Sequence, residues 1–231
     1  MSRIFDPENK FWSFIGKIAD VTCMSVLWAA TSLPLVTLGA STTAFYAYTM
    51  RQVRDTEGGI LSGYFGAFQQ HFKKATLLWL LELAGIAFFA ADFVGVWNLL
   101  LFVGGLPAIL VGALVLCLAV LFLGCTLYIW PLLAVFDFPL KKLLSNSFIM
   151  AVGNLPFTLT LALLWALAGV GCYYMSGVFF VWVGLAIFAS SYFINTVFKK
   201  YTGELAEEQA AWEQAERERK QHKKLQKNGM L

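Results

Sequence analysis

The sequence predicts an all-α fold: a polytopic transmembrane helical bundle of about six membrane segments, with amphipathic interfacial helices and a charged C-terminal helix. Three observations predict it. Of the 231 residues, 59% are hydrophobic and only 13% are charged, whereas soluble domains are about half apolar and about a quarter charged. The charges are segregated: none falls between Leu143 and Phe198, and only Asp20 falls between Ile18 and Met50. A spanning helix needs roughly 20 mostly apolar residues, so these runs hold several spans. Lys and Arg cluster in particular connections, which sets orientation.

Met1 to Lys17 mixes charge with Phe5, Phe11, Trp12 and Phe14, as an interfacial segment does. A first span is expected over Ile18–Leu33, ended by Pro34, which lacks an N–H. A second, short helix is expected over Thr42–Arg54, with Ser41 or Thr42 as its N-cap. Asp55 to Gly59 reads as a polar loop. Ile60 to Lys74 reads as a separate interfacial helix with Leu61, Tyr64, Phe65, Phe68 and Phe72 on its apolar side.

Ala75–Trp97 is a full span, Leu99–Gly105 an apolar turn and Leu106–Phe136 a long span. Leu143–Val152 is a second amphipathic stretch. Asn154-Leu155-Pro156 opens a span through Cys172, Ser176-Gly177 marks a hairpin, and Val178–Phe198 is the last span. Residues 1–200 thus form a transmembrane domain and 201–231 a charged cytoplasmic tail. The tail places its acids first and its bases last, which favours a helix, with Glu213–Arg217 and Glu216–Lys220 as i,i+4 pairs. An amphipathic stretch leading into a span occurs in both halves, a faint repeat of a kind common in transporters.

Arg51, Arg54, Lys73, Lys74, Lys141, Lys142 and the basic tail fall on one side if the chain crosses four times after Lys74. Arg3, Lys10 and Lys17 join them if Ile18–Met50 goes out and back. That gives six segments with both termini cytoplasmic; five segments with an external N-terminus is the alternative. The first apolar run is longer than a signal-peptide core and follows Asp6 and Glu8, so a cleaved signal peptide is not expected. The formal net charge of +3 carries no basic face for nucleic acid.

An ionisable group inside a bilayer is expensive and often functional, so Glu82, Asp92 and Asp20 are the candidate intramembrane polar site. Asp20 lies one turn from Lys17 and suits an i,i+3 pair. Asp92 lies near the outer end of its span. Glu82 is the deepest, two turns beyond Lys74, and serves either a bound proton, cation or hydroxyl, or helix packing. Pro34, Gly39, Ser41, Thr42 and Thr43 form a candidate broken-helix element, where side-chain hydroxyls supply partners for freed backbone groups. Gly104, Ala108 and Gly112, and Gly177, Gly184 and Ser191, make small-residue rows for close helix packing.

The four cysteines lie in apolar runs without metal spacing, and the two histidines, His71 and His222, are isolated. Zinc-protease, nucleophile-elbow, P-loop and dinucleotide motifs are missing. No enzyme activity, catalytic residue, metal or cofactor is expected.

The N-terminal half resembles the YesL family of bacterial integral membrane proteins, a family defined by a domain of unknown function. The resemblance rests on Phe11-Trp12, Lys17-Ile18-Ala19-Asp20 and Ser32-Leu33-Pro34-Leu35-Val36-Thr37-Leu38-Gly39-Ala40-Ser41-Thr42-Thr43-Ala44. It continues in Val53-Arg54-Asp55 and Phe65 to Thr76, then more softly in Phe136-Asp137 and Asn146–Pro156. It implies a multi-pass protein of the bacterial plasma membrane, encoded near carbohydrate ABC-transport components, with ABC permease subunits as partners. On that basis an accessory or regulatory subunit of carbohydrate uptake is expected. A small-solute transporter or channel in its own right is the alternative, motivated by Glu82 and the Pro34–Gly39 break.

Overall fold

A computed structural model describes residues 10–54, 56, 58–102 and 104–227. The interfacial reading of Met1–Lys17 lies largely outside the described residues, as do the side chains of Glu216, Lys220 and the last bases of the tail. The described residues form seven α-helices: α1 (Lys10–Thr31), α2 (Leu38–Val53), α3 (Ile60–Phe102), α4 (Gly105–Val135), α5 (Leu140–Gly153), α6 (Leu155–Tyr174) and α7 (Phe179–Lys227). Short 3-10 turns at Leu35–Thr37 and Ser176–Val178 precede α2 and α7.

Four of these segments, Ile60–Phe102, Gly105–Val135, Leu155–Tyr174 and Ser176–Gly203, are long and apolar enough to cross a membrane. Their outer faces are apolar and bare, with Phe88, Phe93, Leu114 and Leu163 all exposed. A water-soluble protein does not leave so wide an apolar surface uncovered. The chain is therefore a multi-pass helical membrane protein. α1 and α2 are not among the four. At 16 residues, α2 is about 24 Å long, short of the roughly 30 Å hydrocarbon core.

Several boundaries differ from the sequence expectation. The amphipathic stretch from Ile60 and the span from Ala75 are one helix, α3, of 43 residues. No proline or glycine pair interrupts Lys73–Thr76, so nothing breaks the hydrogen-bond ladder there. The inward stripe of its first half is Tyr64, Ala67, His71, Ala75 and Leu78; Leu61, Phe65 and Phe72 are exposed. The apolar turn expected over Leu99–Gly105 is mostly helix, and the reversal is compressed around Gly104 and Gly105. Both have positive φ, 61° and 73°, which glycine adopts without a Cβ clash. Likewise α7 runs unbroken from its apolar half into the tail, with the Glu213–Arg217 pair at 3.8 Å. By contrast α5 and α6 are separate, because Asn154 leaves helical geometry and Pro156 sits in the first turn of α6.

α2 lies in the middle of the bundle. Thirteen of its residues are buried, and it packs against α1, α3, α4 and α7. A polar seam joins it to α7: Tyr46 to Ser190 at 3.0 Å, Thr49 to Ser191 at 2.8 Å and Arg54 Nε to Asn195 Oδ1 at 3.0 Å. On the other side Gln52 ties it to α1, donating to Asp20 at 3.3 Å and accepting from Lys17 at 3.2 Å. Hydroxyl pairs between membrane helices contribute on average about 0.6 kcal/mol each. In a double-mutant cycle of Thr49→Val and Ser191→Ala, a coupling of about 0.6 kcal/mol is expected from unfolding in mild detergent.

Candidate functional site

The break before α2 places the functional residues. Pro34 cannot continue α1, and the chain turns over Ser32–Thr37. The Thr37 hydroxyl closes this turn, reaching the carbonyls of Thr31 at 2.5 Å and Pro34 at 2.6 Å. Helix α2 starts at Leu38 with Thr37 at its N-cap position, so Ser41 and Thr42 do not cap it as the sequence suggested. They lie inside the helix, because the 3-10 turn of Leu35–Thr37 runs straight into it; the Thr37 side chain makes no cap bond to α2. Ser41 and Thr43 instead bond back to the carbonyls of Thr37 (3.0 Å) and Gly39 (2.8 Å). Thr42 accepts the Trp28 indole N–H at 3.1 Å, which stitches α2 to α1.

Gly39 has a steric role. A Cβ there would meet the Ala75 carbonyl at 2.7 Å, Trp79 Cβ at 2.8 Å and the Trp130 ring at 2.9 Å. The missing side chain lets α2 approach α3 and α4 at the point where Trp79 and Trp130 sit side by side, ring centroids 6.4 Å apart.

Below this contact opens a cavity of about 360 Å³. Five helices each give it one aromatic ring: Trp28 from α1, Tyr46 from α2, Trp79 from α3, Trp130 from α4 and Trp165 from α6. Val183 and Ile187 of α7 close the remaining side, with Leu38, Thr42, Thr126 and Leu127 between. Glu82 is the one lining residue with an acidic or basic side chain.

Polar groups in this cavity are incompletely satisfied. Trp130 bonds to the Glu82 carboxyl and Trp165 to the Tyr46 hydroxyl, while among the described residues Glu82 Oε2 and Trp79 Nε1 are buried without a hydrogen-bond partner. Pro131 lies inside α4 and has no N–H to give the carbonyl of Leu127, a lining residue. Buried polar groups normally find partners, and these unpaired atoms make the cavity the candidate site; Ser32, Gln52, His71 and Thr76 also hold unpaired buried atoms, outside it.

Of the residues singled out from sequence, Glu82 and Thr42 line the cavity and Gly39 packs beside it. Asp92 lies ten residues further along α3, outside the lining. Asp20 takes the Gln52 amide at the far end of the α1–α2 hairpin. Pro34, Ser41 and Thr43 shape the turn and do not line the cavity. The four tryptophans and Pro131 were missed. Their signal was present: tryptophan favours membrane interfaces, and Trp28, Trp79, Trp130 and Trp165 instead lie within long apolar runs. Metal chemistry has no cluster to build on, since no group of three or more His, Cys, Asp or Glu residues gathers among the described residues.

These features define a multi-pass helical membrane protein with an aromatic cavity around one carboxyl. Residues 21–93 match the family model described as "Protein of unknown function, DUF624", so a DUF624 domain is present. It supplies Trp28, Leu38, Thr42, Tyr46, Trp79 and Glu82, half of the cavity lining. No curated protein matches the chain, and no solved structure matches it.

The Gly39 contact is testable by thermal unfolding. Gly39→Ala is expected to cost about 1–3 kcal/mol through overpacking and to shift tryptophan emission. Gly169→Ala, where nothing lies within 4 Å, is expected to stay within about 0.5 kcal/mol.

Proposed function

We propose that this protein binds a small solute in the cavity around Glu82 and carries it within or across the membrane, acting as a carrier and not as an enzyme. The unpaired Glu82 Oε2 and Trp79 Nε1 beside one cavity support the reading. Trp130 of α4 bonds to the Glu82 carboxyl, which leaves the second oxygen, Oε2, for a ligand. The reading predicts solute uptake into proteoliposomes that saturates with concentration and is lost in Glu82→Gln. Silence across a panel of sugars, polyols, amino acids and alkylammonium ions would overturn it.

A second reading, an accessory subunit of a carbohydrate uptake complex in the bacterial plasma membrane, draws on the YesL-like sequence and on the charged end of α7. That end returns to the membrane domain, where the Lys74 ammonium lies 6.0 Å from the Trp212 ring centre. It offers a surface for ABC permease subunits. Mild-detergent purification from native membranes would recover such subunits if this reading holds, and their absence would count against it.

Both readings share one topology: α1 and α2 as a hairpin that enters and returns on the same side, then four crossings, with both termini cytoplasmic. Lys17 on Gln52, Arg54 on Asn195 and Lys74 paired with Asp137 support a common basic face. A cysteine introduced at Ser176 is expected to react with an impermeant maleimide in intact cells. One introduced at Thr202 is expected to react only after permeabilisation; the reverse pattern would refute the orientation.

A further inference from the structure

We infer that the Glu82 cavity selects an organic cation, an alkylated ammonium compound that also carries an acceptor oxygen; this rests on the solute-binding reading above and names its substrate class. The first ground is charge. Glu82 is the sole lining residue with an acidic or basic side chain. The basic residue two turns away on the same helix, Lys74, is engaged with Asp137 and Trp212. In an apolar chamber an ionised carboxyl persists only beside a cation and otherwise takes up a proton, so a cationic ligand is the partner that would hold Glu82 charged.

The second ground is the wall. Trp28, Trp79, Trp130, Trp165 and Tyr46 approach from five different helices. Indole faces attract an ammonium group placed within about 6 Å of the ring centre, most strongly where water is excluded. Recognition of methylated ammonium groups by aromatic cages uses rings of this kind.

The third ground is what the cavity does not offer. A hard metal ion takes about six oxygen ligands. Here the lining side-chain oxygens are those of Glu82, Thr42, Tyr46 and Thr126, and the three hydroxyls are engaged with Trp28, Ser190 and the Leu123 carbonyl. That set is too small for a metal ion and suits an ammonium group. The unpaired N–H of Trp79 is a donor, so the ligand brings an acceptor, such as a hydroxyl or carboxylate oxygen.

The test is titration of the full chain in lipid nanodiscs, read by intrinsic tryptophan fluorescence, with choline, tetramethylammonium, 3,3-dimethyl-1-butanol and glucose. The butanol has the shape of choline with carbon in place of the charged nitrogen. Choline is expected to quench saturably, and the neutral isostere to bind at least about tenfold more weakly, since it leaves the carboxylate unpaired. Glu82→Gln is expected to weaken choline by a similar factor and to erase the preference over the isostere, while Asp92→Asn leaves both unchanged. Glu82→Asp, which keeps the charge, is expected to retain the preference, and the wild-type comparison needs no variant to fold. Equal binding of choline and its isostere, an indifferent Glu82→Gln, or no saturable signal with either cation would overturn the proposal. Glucose binding that depends on Glu82 would overturn the cation class yet leave the solute cavity standing; the cavity reading falls only if the proteoliposome panel is silent as well.

Discussion

Helix α2 is too short to cross a bilayer and carries too many hydroxyls and amides to face lipid, so it has to be enclosed by other helices. The bundle meets that constraint by surrounding it. α1, α3, α4 and α7 close around its sides, Gly39 permits the closest approach, and the hydroxyls of Tyr46 and Thr49 find Ser190 and Ser191 on α7. The long helices then cover the enclosed core with apolar side chains, and those side chains face the membrane.

The cavity is a consequence of the same arrangement. Gly39 brings the start of α2 against Trp79 and Trp130, and bulky rings from five helices meet around a point that they do not fill. A bundle built only for stability would fill that space with aliphatic side chains or pair its polar atoms. Here a carboxyl oxygen and the Trp79 indole N–H stay unpaired, and Pro131 withholds a backbone donor from Leu127. Several departures from ordinary packing converge on one place, and that convergence carries more weight than Glu82 alone.

The basic edge of the bundle has a separate logic. Lys17 and Arg54 bond to neighbouring helices and Lys74 to Asp137 in the α4–α5 connection, so the charges that orient the chain also hold its elements together. The turns at the other end are built differently: Gly104 and Gly105 reverse the chain by backbone freedom, and a 3-10 turn at Ser176–Val178 does the same before α7. Neither reversal contains Lys or Arg.

Composition and the spacing of charges were enough to determine a helical membrane protein, the approximate position of each long apolar run, the turn at Pro34 and Glu82 as the acid deepest in its span. Those features follow from hydropathy and from backbone chemistry, which act locally along the chain. The continuity of α3 is local as well, since no breaker interrupts Lys73–Thr76, whereas the steric role of Gly39 was decided by packing between helices. So was the cavity: Trp28, Trp79, Trp130 and Trp165 are far apart in sequence, and no periodicity links them. Whether tryptophans in separate apolar runs face lipid or meet around one carboxyl depends on how the helices rotate and cross, and only the tertiary structure fixes that.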